Sequence, residues 1–273
     1  MTDRIDPAPE LVFAQISDLH VTAPGRACMN RVDSAGLLRA CVAQLVDLDP
    51  LPRLVIASGD LVDLATAEEY AHLRTILAPL AMPLLVIPGN HDDRENLRAA
   101  FADQTYMPRE GFIQYVVDEG FVRLVFLDTQ IPGQDGGELC SARLAWLADR
   151  LAEAPDRPTV IVMHHPPFRT GVANLDDPGL VGAEGFARLL ARSPQVERIL
   201  CGHLHRSIQV RWHGVLASVC PSTAHQVALT LRPDDPLCYV MEPPGFQLHA
   251  WVAGTGLVSH TLFTGRFAGP YPF

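Results

Sequence analysis

A mixed α/β fold with layered sheets is predicted for this chain by three observations. Short apolar, β-branched runs alternate with stretches of helical periodicity, the pattern of strand–helix units that share a sheet. Two turn signals, Glu119-Gly120 and His213-Gly214, join neighbouring strand-like runs into hairpins, so the sheets must also hold antiparallel strands. The 273 residues, 48% of them hydrophobic, suffice for one large core or for a core with a small appendage.

The elements follow in order. Leu11–Ser17 reads as a strand. Ser34–Leu48 reads as a helix, because Leu37, Leu38, Cys41, Val42, Leu45 and Val46 recur at helical spacing. Leu54–Ser58 is a second strand. Thr66, with Glu69 three residues on, is a capping box that opens a helix to about Leu77. Leu84–Ile87 is a third strand and Arg94–Ala102 a helix. Ile113–Asp118 pairs with Val122–Leu127 through the first turn signal. Ser141–Ala152 is a helix carrying Leu144, Leu147 and Leu151 on one face. Thr159–Met163 is a strand, Glu184–Arg192 a helix, and Val196–Cys201 a strand. Ser207–Trp212 and Val215–Val219 form the second hairpin. Beyond Pro221 the pattern fades. Arg232–Gly245, with Pro233, Pro236, Pro243 and Pro244, reads as an inserted arm or cap. The expected division is a catalytic domain over 1–225 and a segment over 226–273 that caps the domain and returns to it.

Composition excludes several classes. The formal charge is −10 and no basic run is present, which argues against a general grip on long nucleic acid. No apolar run approaches the length that spans a bilayer. The polar, proline-containing start MTDRIDPAPELVF has no basic segment followed by an apolar core, so no leader is read there and the cytoplasm is the expected compartment. Six scattered cysteines without a CxxC pair read as reduced, buried thiols.

Five strands run into polar loops of the same kind. They end in Ser17-Asp18-Leu19-His20, Ser58-Gly59-Asp60, Gly89-Asn90-His91-Asp92, His164-His165-Pro166-Pro167 and Gly202-His203-Leu204-His205. Ligands in open α/β sheets bind beyond the carboxyl ends of strands, so these loops can converge. Together they offer carboxylates Asp18 and Asp60, imidazoles His20, His164, His203 and His205, and the amide oxygen of Asn90. A mixed N/O set without thiolate suits Mn, Fe, Zn or Co. It is too large for one tetrahedral ion but fits two if one carboxylate bridges, and paired ions ~3.5–4 Å apart clamp both the attacking and the leaving oxygen of a phosphoryl transfer.

The ordered motifs Asp18-Leu-His20, Gly59-Asp60, Gly89-Asn-His91, His164 and Gly202-His-Leu-His205 resemble those of the calcineurin-like metallophosphoesterase superfamily. The resemblance covers residues 18 to 205. It implies a four-layer αββα sandwich of two mixed sheets flanked by helices. It also implies two divalent metal ions: Asp18, His20 and His205 on the first, Asn90, His164 and His203 on the second, and Asp60 bridging. The two histidines of GHLH would then serve different ions. A hydroxide generated at the metals would attack phosphorus. His91 would stabilise charge or protonate the leaving alkoxide, and Asp92 would orient His91.

Departures narrow the family. The arginine of the GDxxDRG pattern of Ser/Thr protein phosphatases is missing after Asp63, and Asp63 stands where purple acid phosphatases carry a tyrosine. The stretches ISDLH, SGDLV, Glu69-Tyr70, IPGNHDD, MHHPP and Ser222-Thr-Ala-His225 are similar to the class III cyclic nucleotide phosphodiesterase group and its bacterial glycerophosphodiesterases. Leu204 stands where the nearest of these carry asparagine, which bears on substrate detail. That group implies a small phosphodiester substrate, a role near substrate for His225, and a C-terminal arm that caps the site and makes a homo-oligomer. His165, beside a ligand, is expected to bind substrate or to hydrogen-bond backbone. Asp63 and Asp128 are expected either to support ligands or to close loop turns. A phosphomonoesterase or a nuclease of the same fold is the alternative reading, and a catalytically silent scaffold is the alternative of another class. The scaffold predicts missing ligands, and none is missing.

Overall fold

The computed structural model describes residues 8–272. The first seven residues, part of the stretch read as free of a leader, lie outside them. The chain runs β1 (Leu11–Ile16), α1 (Ser34–Val46), β2 (Val55–Ala57), α2 (Ala67–Leu77), β3 (Leu84–Val86), α3 (Arg94–Ala100), β4 (Tyr115–Glu119) and β5 (Val122–Leu127). It continues with β6 (Gly137–Glu138), α4 (Ser141–Ala152), β7 (Thr159–Met163), α5 (Ala173–Asp176), β8 (Leu180–Val181), α6 (Ala183–Leu190) and β9 (Val196–Cys201). The last strands are β10 (Ile208–Trp212), β11 (Val215–Val219), β12 (Gln226–Val227), β13 (Tyr239–Val240), β14 (Gly245–Val252) and β15 (Gly256–Phe263). Side chains start the first three helices. Asp33 accepts from Gly36 N, Thr66 and Glu69 form the reciprocal capping box, and Asp93 accepts from Asn96 N.

Two mixed sheets carry the fold. The first has the order β15-β14-β1-β2-β3, with β1, β2 and β3 parallel and the β14–β15 hairpin antiparallel beside β1. The second has the order β10-β11-β9-β7-β5-β4, parallel through its centre and closed at each edge by a hairpin strand. Side-chain alternation decides what covers each face. Along β5, Val125 and Leu127 join Leu147 and Leu151 of α4 and Phe186 and Leu190 of α6, whereas Leu124 and Phe126 join the larger core shared with the first sheet and α1 to α3. β7 divides the same way, with Ile161 and Met163 outward and Val160 and Val162 inward. A one-residue slip would swap these faces, which is why the register is specified. Each large side chain so buried is worth ~1.5–3 kcal/mol. The sheets also touch through polar groups: Gln15 of β1 donates to the carbonyl of Cys201 on β9 at 3.0 Å.

The β14–β15 hairpin is a structural element that the fading sequence pattern does not announce. Its two eight-residue strands extend the first sheet. The inward positions Gln247 and His249 are polar yet fully buried, so the apolar alternation that marks a strand is masked. Between residues 226 and 240, β12 and β13 pair as a short ribbon whose connection carries the exposed side chains Leu229, Leu231 and Leu237. All six cysteines are free; Cys28, Cys41, Cys201 and Cys220 are buried, whereas Cys140 is partly buried and Cys238 exposed.

Candidate dinuclear metal centre

The polar loops after β1, β2, β3, β7 and β9 meet at one end of the sandwich. The first three leave one sheet and the last two leave the other, so the site lies over the carboxyl ends of both. Its backbone is bent for the purpose: Asp18, His20, Asp60, His203 and His205 all have positive φ, between 44° and 72°. Such conformations cost of order 1–3 kcal/mol each in a non-glycine residue and persist where surrounding structure enforces them. Gly202 lets the β9 loop close against β1, because a Cβ there would collide with Ser17 Oγ.

The donor atoms form two overlapping groups around Asp60. On one side, His20 Nε2 lies 3.1 Å from His205 Nε2 and 3.7 Å from Asp60 Oδ2, and His205 Nε2 lies 3.4 Å from Asp18 Oδ1. On the other, His164 Nε2 lies 3.4 Å from Asp60 Oδ1 and 3.1 Å from Asn90 Oδ1, which in turn lies 3.0 Å from His203 Nδ1. The two oxygens of Asp60 therefore face different groups, as a bridging carboxylate requires.

The far nitrogens of the imidazoles are already placed. His205 Nδ1 donates to the His225 carbonyl at 2.9 Å and His164 Nδ1 donates to the Ser58 carbonyl at 2.8 Å, while His20 Nδ1 faces Asp63 Oδ1 at 3.4 Å. These contacts leave Nε2 bare toward the centre, which is the tautomer a metal needs. Asp18 is completely buried and accepts from His203 N at both oxygens, at 2.9 and 3.1 Å. The residues present thus fit a pair of divalent ions.

Burial sets the electrostatics of these groups. It pushes Asp18 up to about 6, with His164 opposing and Asp60 reinforcing. Burial also raises Asp60, but the nearby His164 outweighs it and holds that carboxylate well below its usual range. Burial drives His203 down to about 3 and His205 well below its usual value, with the neighbouring His164 and His20 respectively adding to the effect. Burial lowers His164 and His20 as well, but Asp60 outweighs it at His164, which is raised to about 9, and Asp63 with Asp60 outweighs it at His20, which is raised. Bound ions would displace those protons, because neutral imidazoles and ionised carboxylates are the ligand forms.

His91 is exposed at the cleft. Its backbone N–H donates to Asp60 Oδ1 at 2.9 Å and its Nδ1 donates to the carbonyl of Asp63 at 2.9 Å, which leaves Nε2 unengaged. His225 borders the same cleft with its ring 4.6 Å from that of His205 and 5.4 Å from that of Tyr239, and its Nδ1 has no hydrogen-bond partner among the described residues. The cleft holds about 380 Å³. One wall comes from the β12–β13 ribbon, with Leu237, Cys238 and Tyr239, and among the described residues no lysine or arginine lines it.

One expected role is corrected. Asp92 does not orient His91. Its carboxylate is consumed by Tyr70 Oη at 2.8 Å, Gly89 N at 2.8 Å and Leu61 N at 3.1 Å, so it shapes the loop instead. The carbonyl of Asp63 holds His91 in its place. His165 takes the backbone-bonding role of the two expected for it. Thr129 Oγ1 lies 2.8 Å from its Nδ1 and its Nε2 donates to the Asp135 carbonyl at 3.1 Å, which leaves no free nitrogen on a buried ring. Asp63 joins the site through its carboxylate as well, taking a 3.3 Å hydrogen bond from the Cys28 thiol. Asp128 lies outside the centre, paired with Arg94 at 2.6 and 2.7 Å. Sequence reasoning missed Cys28 and Gln130, neither of which belongs to a strand-end motif.

A two-sheet sandwich with six N/O donor side chains gathered around Asp60 has the architecture of a dinuclear metallophosphoesterase. The profile of the calcineurin-like phosphoesterase family matches residues 11–207, and the chain belongs to that family. Its relatives include a probable glycerophosphodiester phosphodiesterase, GpdQ, of Arcobacter nitrofigilis, 38% identical over 96% of this chain and 97% of the relative. They also include the 3',5'-cyclic adenosine monophosphate phosphodiesterase CpdA of Escherichia coli, 30% identical over 78% of this chain and 76% of the relative. Among solved structures, a dimetal phosphatase from Danio rerio superposes with a TM-score of 0.66 at 15% identity, covering 94% of this chain and all of that one, which shows the shared fold.

Proposed function

We propose that this protein is a metal-dependent hydrolase of small phosphodiesters, the class that includes glycerophosphodiesters and cyclic nucleotides. The observation that carries the proposal is the split of Asp60: one oxygen toward His20 and the other toward His164, with further donors completing each group. Relatives named for both substrate types support the choice of diester. Two divalent ions drawn from Fe, Mn, Zn or Co would supply Lewis acidity and a nucleophile at neutral pH when bound. Asp18, His20, Asp60 and His205 would hold the first, and Asp60, Asn90, His164 and His203 the second.

The other residues bind and move protons. His91, fixed by the Asp63 carbonyl, would present Nε2 to the departing alkoxide as general acid, a role worth about a hundredfold to ten-thousandfold in rate. His225 would contact substrate from the ribbon side of the cleft. The absence of lysine and arginine from the lining favours an ester carrying one negative charge, because a second anionic group would find no counter-charge beyond the metals. Exposed Leu229, Leu231, Leu237 and Met241 support a homo-oligomer formed through the C-terminal segment, and six unpaired cysteines fit the cytoplasm.

The test is a paired rate assay on the Mn²⁺-loaded protein with an aryl phosphodiester and the matching monoester, and an Asn90→Ala control. Diester preference that disappears in the control is expected. Monoester preference would move the protein to the phosphomonoesterase reading. The same rates without added metal would overturn the metal centre.

A further inference from the structure

The seven donor side chains are not equally well supported. Asp18, His20, His164 and His205 each have a protein group that fixes them from behind. Asn90 has none. Its Oδ1 points at His164 and His203, and its Nδ2 makes no hydrogen bond among the described residues. The position of this ligand therefore depends on the backbone that carries it, the turn Gly89 to Asp92 after β3.

That turn is gripped from the second sheet by Gln130, a 3% exposed residue just past the end of β5. The side-chain amide of Gln130 donates to the carbonyls of both Gly89, at 3.0 Å, and Asp92. These carbonyls bracket the Asn90-His91 pair. Gln130 is itself immobilised. Its N–H donates to Asp128 Oδ1 at 3.0 Å, and its carbonyl accepts from Arg94 at 2.7 Å and from Arg143 at 3.1 Å. Asp128, fully buried, is locked by the same Arg94. The rigid end of β5 is thus wired through one side chain to the loop bearing a single ligand of the second ion.

We infer that Gln130 is a positioning residue for the second metal site: it holds Asn90 Oδ1 where that ion needs it, and has no comparable effect on the first. The inference rests on the dinuclear reading above. The physical reason is pre-organisation. Two donors on one amide fix the turn before the ion arrives, so binding does not have to order it. Loss of an outer-shell partner commonly weakens metal binding by about tenfold to a hundredfold.

The test is titration of the metal-free protein with Mn²⁺, read by calorimetry and by the electron paramagnetic resonance signal that distinguishes single from coupled Mn²⁺. Wild type is compared with Gln130→Met, which keeps size and removes both donors, and with Gln130→Glu, which keeps size and presents a carboxylate to two carbonyls. Melting of the metal-free forms is followed in parallel. The expected result is an unchanged first site, a second site weakened about tenfold to a hundredfold in Gln130→Met and at least as much in Gln130→Glu, and the coupled signal displaced to higher Mn²⁺. Equal binding of both ions by all three proteins would overturn the inference and leave the centre intact. A parallel fall of both sites, or unfolding of both variants, would overturn it as well, since Gln130 would then serve the fold alone. A wild-type protein that takes only one Mn²⁺ would overturn the dinuclear centre and the inference together.

Discussion

The Tyr70 hydroxyl on α2 donates to Asp92 Oδ1 at 2.8 Å and accepts from Asp93 N at 3.1 Å, so a helix side chain closes the loop that carries Asn90 and His91. Both side chains are buried, at 1% and 5% exposure. Removing the hydroxyl in Tyr70→Phe leaves Asp92 short of a donor and Asp93 N without its acceptor. A stability loss of about 1–3 kcal/mol is expected, read from urea unfolding midpoints at unchanged slope. A loss under the error of the fit would mean that water replaces the hydroxyl at no cost.

Asp60 turns one carboxylate oxygen toward each donor group. Asp60→Ala is expected to bind neither ion with appreciable affinity and to lose diester hydrolysis by at least a hundredfold. His205→Ala, by contrast, is expected to lose the first ion preferentially. Metal content after dialysis, measured by mass spectrometry, separates these outcomes. Full loading of Asp60→Ala would refute the bridging assignment.

Asp63 acts on two histidines by two different atoms. Its carboxylate faces His20 Nδ1 and its carbonyl holds His91 Nδ1. Asp63→Ala deletes the first contact and keeps the second. Weakening of the first ion by about tenfold to a hundredfold is expected, with the rate at saturating metal largely retained. A collapse of that rate at full metal occupancy would show that the carboxylate also works on substrate.

His249 gives a pH effect outside the donor set. It is fully buried, with Ser259 Oγ 2.8 Å from Nδ1 and Gln15 Oε1 3.3 Å from Nε2. Burial, aided by Arg198, pushes it down to about 3. The unfolded chain binds this proton near pH 6.5 and the folded chain does not, so the folded state holds its full stability above that pH. Stability is lost as pH falls from there toward about 3, by about 1.4 kcal/mol per pH unit from this group. His249→Gln is expected to flatten that slope, as measured by chemical unfolding at a series of pH values. An unaltered slope would mean that other groups govern the acid limb.

Gly202, just past β9, lies against Ser17, just past β1. In Gly202→Ala the new methyl meets Ser17 Oγ, and an overpacking cost of about 1–3 kcal/mol is expected in thermal or urea unfolding. Pairing it with Ser17→Gly should recover part of the loss if the collision is its cause.

By itself the sequence determined the fold class, most of the elements and the candidate ligands. Alternation and helical spacing are local signals, and strand ends are local positions, so Asp18, His20, Asp60, Asn90, His164, His203 and His205 were legible wherever an apolar run stopped. The β14–β15 hairpin was not legible, because Gln247 and His249 break its apolar pattern with polar groups that only tertiary partners satisfy: Gln247 donates to Val219 of the facing sheet, and His249 meets Gln15 and Ser259 on the neighbouring strands of its own sheet. Tertiary structure alone decided which atoms meet. It gave Asp92 to Tyr70 instead of His91, turned His165 toward Thr129, and set Gln130 of one sheet behind a loop of the other. Hydrogen bonds between residues tens of positions apart depend on how two sheets are laid together, and no periodicity within either sheet records that.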